Sequence, residues 1–225
     1  MQRGQLFAIG EHYHLFNRGA HKGAIFKDPS DYQRFLLLLH LANNAKPIHI
    51  SNLINFKYHG VTSDIFKEVT DKALVSILAY SLLPNHFHLV LRQEAEEGIE
   101  RFMRKVGTGY SMYFNAKHEH SGVLCQGRYK SRLIDNEAYF RYIFSYVHLN
   151  PVELFQSDWK EVGIKNPSQT RMFLSSYKYS SYHDYHLGPR PEAAILSHHA
   201  KPDFLKEQND LEDLLKWATL IQGRS

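Results

Sequence analysis

The chain has a single cysteine, Cys125, in 225 residues. One thiol excludes an internal disulfide framework and any zinc site built on cysteine, and it makes a reducing cytoplasm the expected compartment. No stretch approaches the roughly 18 consecutive apolar residues of a membrane span. No apolar signal-peptide core follows Met1-Gln2-Arg3-Gly4-Gln5-Leu6, so no membrane partner is expected. No internal repeat is visible, and no Gly-rich nucleotide loop, which argues against ATP or nicotinamide chemistry. Charge of one sign is not in large excess: 27 Lys and Arg against 23 Asp and Glu leave +4 with histidine neutral. That mildly basic balance is compatible with a polyanionic partner.

What is present is enough to build a core. At 43% hydrophobic and 13% aromatic residues, the chain suits one large domain, or one domain with an appendage. His12 to Gly19 reads as a strand ending in a glycine turn. Asp28-Pro29 opens a helix, with Tyr32, Phe35, Leu36 and Leu39 at helical spacing. Residues 45–73 carry no clear signal. The nearly continuous apolar run Leu74 to Leu83 predicts a central strand buried on both faces. Pro84-Asn85 breaks it, and His86 to Leu91 predicts the second strand of an antiparallel hairpin. From Gly98 a long amphipathic helix follows, with Ile99, Phe102, Met103, Val106, Tyr110, Tyr113 and Phe114 as its apolar stripe. Arg101, Arg104 and Lys105 lie off that stripe, either as a solvated face or as phosphate contacts. A helix over 137–149 is stopped by Pro151, and Pro202 to Gln222 predicts a C-terminal helix.

Two patterns carry chemistry. Strand alternation puts His86, His88 and Val90 on one face and Phe87, Leu89 and Leu91 on the other. Two imidazoles one pleat repeat apart are either polar residues on the open side of a half-covered strand or two ligands to one metal ion. On the helix 137–149, Tyr146 and Asn150 are spaced i, i+4 and face one point. The Asn150 amide oxygen is a hard ligand suited to Mg²⁺ or Mn²⁺, and Tyr146 would hold its phenolic oxygen near that ion. Tyr139 and Tyr142 read as ordinary half-buried aromatics. A strand over 128–134 would align Arg128, Lys130 and Arg132, either as a protected sheet edge or as a contact to a phosphate backbone.

Four blocks resemble the REP-associated tyrosine transposases, within the single-tyrosine (HUH) insertion-sequence transposases. They are Tyr13-His14-Leu15-Phe16-Asn17-Arg18-Gly19, Leu83-Pro84-Asn85-His86-Phe87-His88-Leu89-Val90, Gln126-Gly127-Arg128-Tyr129-Lys130-Ser131 and Tyr146-Val147-His148-Leu149-Asn150-Pro151-Val152. The resemblance implies an α+β fold, a ferredoxin-like sandwich with a central antiparallel sheet over residues 1–155, followed by a C-terminal extension, 156–225. It implies Tyr146 as the nucleophile and His86, His88 and Asn150 as ligands to Mg²⁺ or Mn²⁺. The implied activity is cleavage and rejoining of single-stranded DNA through a 5′-phosphotyrosine, with single-stranded or hairpin DNA as partner and a homodimer as a possible assembly. Candidate DNA contacts are Arg128, Lys130, Arg132, Asn17, Arg18, Arg104 and Lys105. The chain departs from the pattern in a long 45–73 connection and in Glu153, which stands where a basic residue usually follows Asn-Pro-Val. The rival readings are a domesticated hairpin-DNA-binding protein without turnover and a zinc hydrolase using His86 and His88, although no further zinc ligand is evident.

Overall fold

The computed structural model describes residues 7–46, 57, 62–68, 72–205 and 211–219. Its first six regular elements are β1 (His12–Arg18), α1 (Pro29–Leu41), β2 (Val75–Leu83), β3 (His86–Gln93), α2 (Gly98–His118) and β4 (Lys130–Ile134). The strands form one sheet in the order β2-β3-β1-β4, with every neighbouring pair antiparallel. This is the ferredoxin-like α+β sandwich expected from the sequence. Next come α3 (Glu137–Leu149), α4 (Trp159–Val162), α5 (Pro167–Ser176), α6 (Tyr182–His186) and α7 (Leu211–Thr219).

Alternation along the strands builds two cores. On one face Leu15 pairs with Leu89 and Tyr13 with Leu91, and these pack against Phe35 and Leu39 of α1 and Phe102, Val106 and Tyr110 of α2. On the other face Val90, Leu78 and Ala79 meet Phe140, Ile143, Phe144 and Val147 of α3. The α3 layer continues into the later chain through the buried Trp159, Leu174, Tyr182, Leu205 and Leu214. A register shift between Ile77 and Ala79 lets adjacent Leu78 and Ala79 both serve this second core.

The two sheet-packing helices are tied at their ends. Asp28 caps α1 by accepting from the Ser30 and Asp31 amides, and Asp31 returns the bond to the Asp28 amide. The buried Asp31 carboxylate also accepts from Lys117 Nζ (2.8 Å) and His118 Nε2 (2.9 Å) at the end of α2. Asp28, Asp31 and His118 are close enough to suggest a cation site. Lys117 already places its ammonium there, 2.6 Å from Asp28. Gly109 allows the two helices to approach, since a Cβ on it would lie 2.8 Å from Leu38 Cδ2.

The apolar run 74–83 predicts a central strand; β2 is instead an edge strand. Its apolar character has another cause. Both faces are covered, and the open edge is occupied by the C-terminal extension. The Leu82 amide donates to the Tyr179 carbonyl (2.9 Å), the Ser181 amide to Tyr80 (3.0 Å), and the Ser197 amide to Ile77 (2.8 Å). Tyr177 and Tyr185 hydroxyls donate to the Leu82 and Leu78 carbonyls at 2.6 and 2.7 Å. The stretch 45–73 lies largely outside the described residues. Within it a 3₁₀ turn, Thr62–Lys67, buries Ile65 and Phe66 in the first core.

Candidate active site

The site forms where β1 and β3, central in the sheet, meet the end of α3. His86 and His88 lie on the face under α3, opposite Arg18 and Phe16 of β1. That face is not the open side of a half-covered strand, one of the two alternatives the alternation allows: His86 and His88 are only 8% and 6% exposed. Helix α3 starts on an Asn136 cap, whose side chain accepts from the Tyr139 amide. It ends where Asn150-Pro151 turns into a 3₁₀ segment, Asn150–Leu154. That stop fixes Asn150, fully buried, with its amide oxygen 3.0 Å from His86 Nε2. One turn earlier, the Tyr146 ring stands edge-on to His88, with centroids 5.3 Å apart. The four residues singled out as nucleophile and ligands therefore converge on one point.

Three side chains complete the site without having been singled out in the sequence. His14 Nε2 lies 2.9 Å from His88 Nδ1, with the two rings stacked. The strand alternation that selected His86 and His88 could have identified His14, because Tyr13 and Leu15 flank it on the core face. Asn85 Oδ1 lies 2.6 Å from His86 Nδ1. Lys160, from α4, reaches in beyond the quoted blocks, and no local motif marks it. It pairs with Glu153 at 2.6 Å, and its ammonium lies 5.2 Å from the Tyr146 ring centroid. Tyr142 stacks next to Tyr146 and Tyr139 next to Tyr142, leading away from the histidines.

The protonation states suit ligand chemistry. Burial lowers the His86 pKa and drives that of His88 well down, where nearby His14, His86 and Lys160 act in the same direction. Burial, reinforced by Arg132, lowers His14 to about 4. All three imidazoles are neutral at pH 7. Each nitrogen of His86 faces an amide oxygen, yet a neutral imidazole donates from only one. Donation to the nearer Asn85 leaves the Nε2 lone pair beside the Asn150 oxygen. Two acceptors 3.0 Å apart are a place for a cation. The Asn150 Nδ2 is buried and finds no acceptor among the described residues, so no bond from that side fixes the amide. Donation from His88 Nδ1 to His14 would likewise leave His88 Nε2 as a lone pair, the usual outer support of a metal-bound histidine. Two imidazoles and an amide oxygen fit a divalent ion with positions left open.

A cleft of about 490 Å³ opens onto this point, lined by Asn17, Arg18, Arg128, Lys130, Tyr146 and Lys160 among others. Lys130 pairs with Phe16 and Arg132 with His14 across β1, so both lie on the histidine face. Arg132 reaches further along and covers the Tyr139 ring at 4.9 Å. β4 begins only at Lys130; Arg128 precedes it and pairs with Glu100 at 3.0 Å. Arg104 lies outside this cleft, on a second cavity beside Arg128 and Asn17. Lys105 belongs to neither, since its ammonium bonds the carbonyls of Asn44 and Lys46 near the end of α1.

Comparison with known proteins agrees with this geometry. The sequence profile of the IS200-like transposases matches residues 12–150, more than half of the chain and the whole span from β1 to Asn150. The chain belongs to that family. Among solved structures it is similar to a REP-associated tyrosine transposase bound to a REP hairpin, with a TM-score of 0.50 and 13% identity, covering 82% of this chain and 84% of the other. At that identity the likeness is one of fold. A search of curated proteins finds no match. Among the described residues, no helix is long and apolar enough to cross a membrane.

Proposed function

We propose that this protein cleaves and rejoins single-stranded DNA, with Tyr146 as the nucleophile. The observation carrying this reading is the placement of Tyr146 beside His88 in a cleft that Arg18, Arg128, Lys130 and Lys160 make cationic. His86, His88 and Asn150 would hold Mg²⁺ or Mn²⁺, which when bound supplies Lewis-acid polarisation of a scissile phosphate. The cleft cations bind the backbone phosphates on either side. Tyr146 Oη forms a bond to phosphorus as its proton leaves, and the bond from phosphorus to the 3′ oxygen breaks. That oxygen takes up a proton and departs as a 3′-hydroxyl, leaving the DNA 5′-linked to Tyr146. A second 3′-hydroxyl reverses the step and joins a new strand. The covalent bond conserves the phosphodiester, so no nucleotide cofactor is consumed. Hairpin DNA is the proposed substrate form, since the similar structure holds one.

The test is incubation of the protein with labelled single-stranded and hairpin DNA plus Mn²⁺, followed by a denaturing gel. A covalent adduct that requires Tyr146 supports strand transfer. Hairpin binding with no adduct under any divalent ion would favour the binding protein without turnover.

A further inference from the structure

A cavity of about 660 Å³, larger than the catalytic cleft of about 490 Å³, lies apart from it. It lies on the other side of the sheet, between α2 and the loop 122–129, and falls within the range of small-molecule sites. Phe35, Phe87 and Tyr110 contribute an aromatic wall, with Phe35 5.1 Å from Phe87 and 5.0 Å from Tyr110 between ring centroids. Hydroxyls of Thr108 and Ser111 and the Glu100 carboxylate supply polar groups. Two residues, Asn17 and Arg128, line both this cavity and the catalytic cleft. Asn17 also fixes their shared rim, its Nδ2 donating to the Gly127 carbonyl at 3.0 Å.

The glycines of α2 point to the same place. Gly109 is accounted for by the approach of Leu38, but a Cβ on Gly107 would meet nothing within 4 Å among the described residues. Glycine inside a helix costs roughly 1 kcal/mol against alanine. No packing among the described residues requires that cost at Gly107, which lines the cavity.

We infer that this cavity receives an unpaired base of the DNA strand whose backbone crosses Asn17 and Arg128 on its way to Tyr146. The inference rests on the strand-transfer reading above. An apolar, aromatic-walled cavity with a few hydrogen-bonding groups suits a nucleobase, and cationic Arg104 and Arg128 beside it suit the phosphates on either side. Base recognition would thus be separated from phosphate chemistry, with the end of the sheet between them.

The test uses the Tyr146→Phe protein, so that binding is read without cleavage. The probes are the four homopolymeric deoxydodecamers and an abasic dodecamer of the same length. At least one homopolymer should bind about 5- to 150-fold more tightly than the abasic strand, the range for one or a few stacked bases. Gly107→Leu, which adds an apolar side chain at the cavity wall from a position with room for its Cβ, should remove that advantage and leave the abasic affinity and the salt dependence unchanged. A second readout needs no substitution in α2. Alkylation of Cys125, the chain's one cysteine and part of the cavity wall, should be slowed by the preferred homopolymer but not by the abasic strand. If Gly107→Leu leaves the base advantage intact, or Cys125 is never protected, the base-pocket assignment fails even where Tyr146 still forms an adduct. If no strand binds and no adduct forms, the strand-transfer reading fails first.

Discussion

The Lys160 ammonium lies 2.6 Å from the Glu153 carboxylate. Burial works against the Lys160 charge, but neighbouring Tyr146 and Glu153 outweigh it and raise the pKa, so the cation persists through neutral pH. Glu153 stands where the family resemblance leads one to expect a basic residue, and Lys160, seven positions on, brings the cation back to the cleft. Removing it should slow the step in which phosphate meets Tyr146. Lys160→Met is expected to reduce the single-turnover rate of adduct formation roughly 10- to 150-fold, the worth of one charged hydrogen bond. Lys160→Arg should recover part of the rate, and Glu153→Gln should not lower it. A Lys160→Met protein that cuts at the normal rate would show that the lysine serves only to neutralise Glu153.

His14 and His88 share one hydrogen bond at 2.9 Å, and the proton between them decides which nitrogen of His88 is free. His14→Ala should therefore weaken Mn²⁺ binding about 10- to 100-fold, as loss of an outer-shell partner does, without removing a ligand. Titration calorimetry with Mn²⁺ reads this directly. His86→Ala and His88→Ala should abolish both Mn²⁺ binding and the adduct. Because both side chains are buried, each should also lose stability, about 1–3 kcal/mol in denaturant titration. His14→Ala binding Mn²⁺ as tightly as the parent would remove His14 from the site.

The contrast between His86 and Lys160 shows what could be read without coordinates. Strand and helix periodicity place His86, His88, Tyr146 and Asn150 on definite faces, and those faces do meet. Periodicity reports orientation within an element, but not what lies across from it. Periodicity therefore leaves open whether the histidine face is bare or covered, and α3 covers it. A nearly all-apolar strand such as β2 reads as central because it signals two covered faces, but the covering of its edge by Tyr177–Ser181 depends on a chain segment about a hundred residues away. Lys160 belongs to a four-residue helix, too short for a hydrophobic period to mark it, whose Asp158 cap makes no side-chain bond. Its position is a consequence of the tertiary fold alone.

Acid stability should depend on Asp31. Burial pushes its carboxyl pKa up, but hydrogen bonds from Lys117, the Lys27 amide and His118 outweigh that, and the net shift is below the ordinary 3.8. A folded pKa below the unfolded one means that the carboxylate stabilises the fold above the ordinary value, and that this contribution is lost as pH falls through the folded value. The parent protein should therefore lose melting temperature steeply below about pH 4. Asp31→Asn should melt lower at pH 7 and show a shallower decline, so that the two curves converge in acid. Lys117→Met should cost roughly 1.5–3 kcal/mol at pH 7. Parallel melting curves for the parent and Asp31→Asn from pH 7 to 3 would rule out this linkage.

The nucleophile can be identified among neighbours of the same type. Tyr139, Tyr142 and Tyr146 form a stacked series along α3, with centroids 6.2 and 6.0 Å apart. Only Tyr146 touches the histidines, its ring 5.3 Å from His88 and 6.1 Å from His14. Tyr139 lies at the far end, under the Arg132 guanidinium. In Tyr146→Phe the ring that packs against His88 and Trp159 is kept and only the hydroxyl is lost. Folding and DNA binding should therefore survive. The covalent adduct should disappear, since phenylalanine has no oxygen with which to attack phosphorus. Tyr139→Phe and Tyr142→Phe should keep most of the adduct, because neither ring approaches the proposed ligands. Peptide mapping of the trapped complex locates the linkage. A nucleotide found on Tyr139, Tyr142 or any of the other tyrosines would overturn the mechanism, whereas one on Tyr146 would tie the chemistry to the point where β1, β3 and α3 meet.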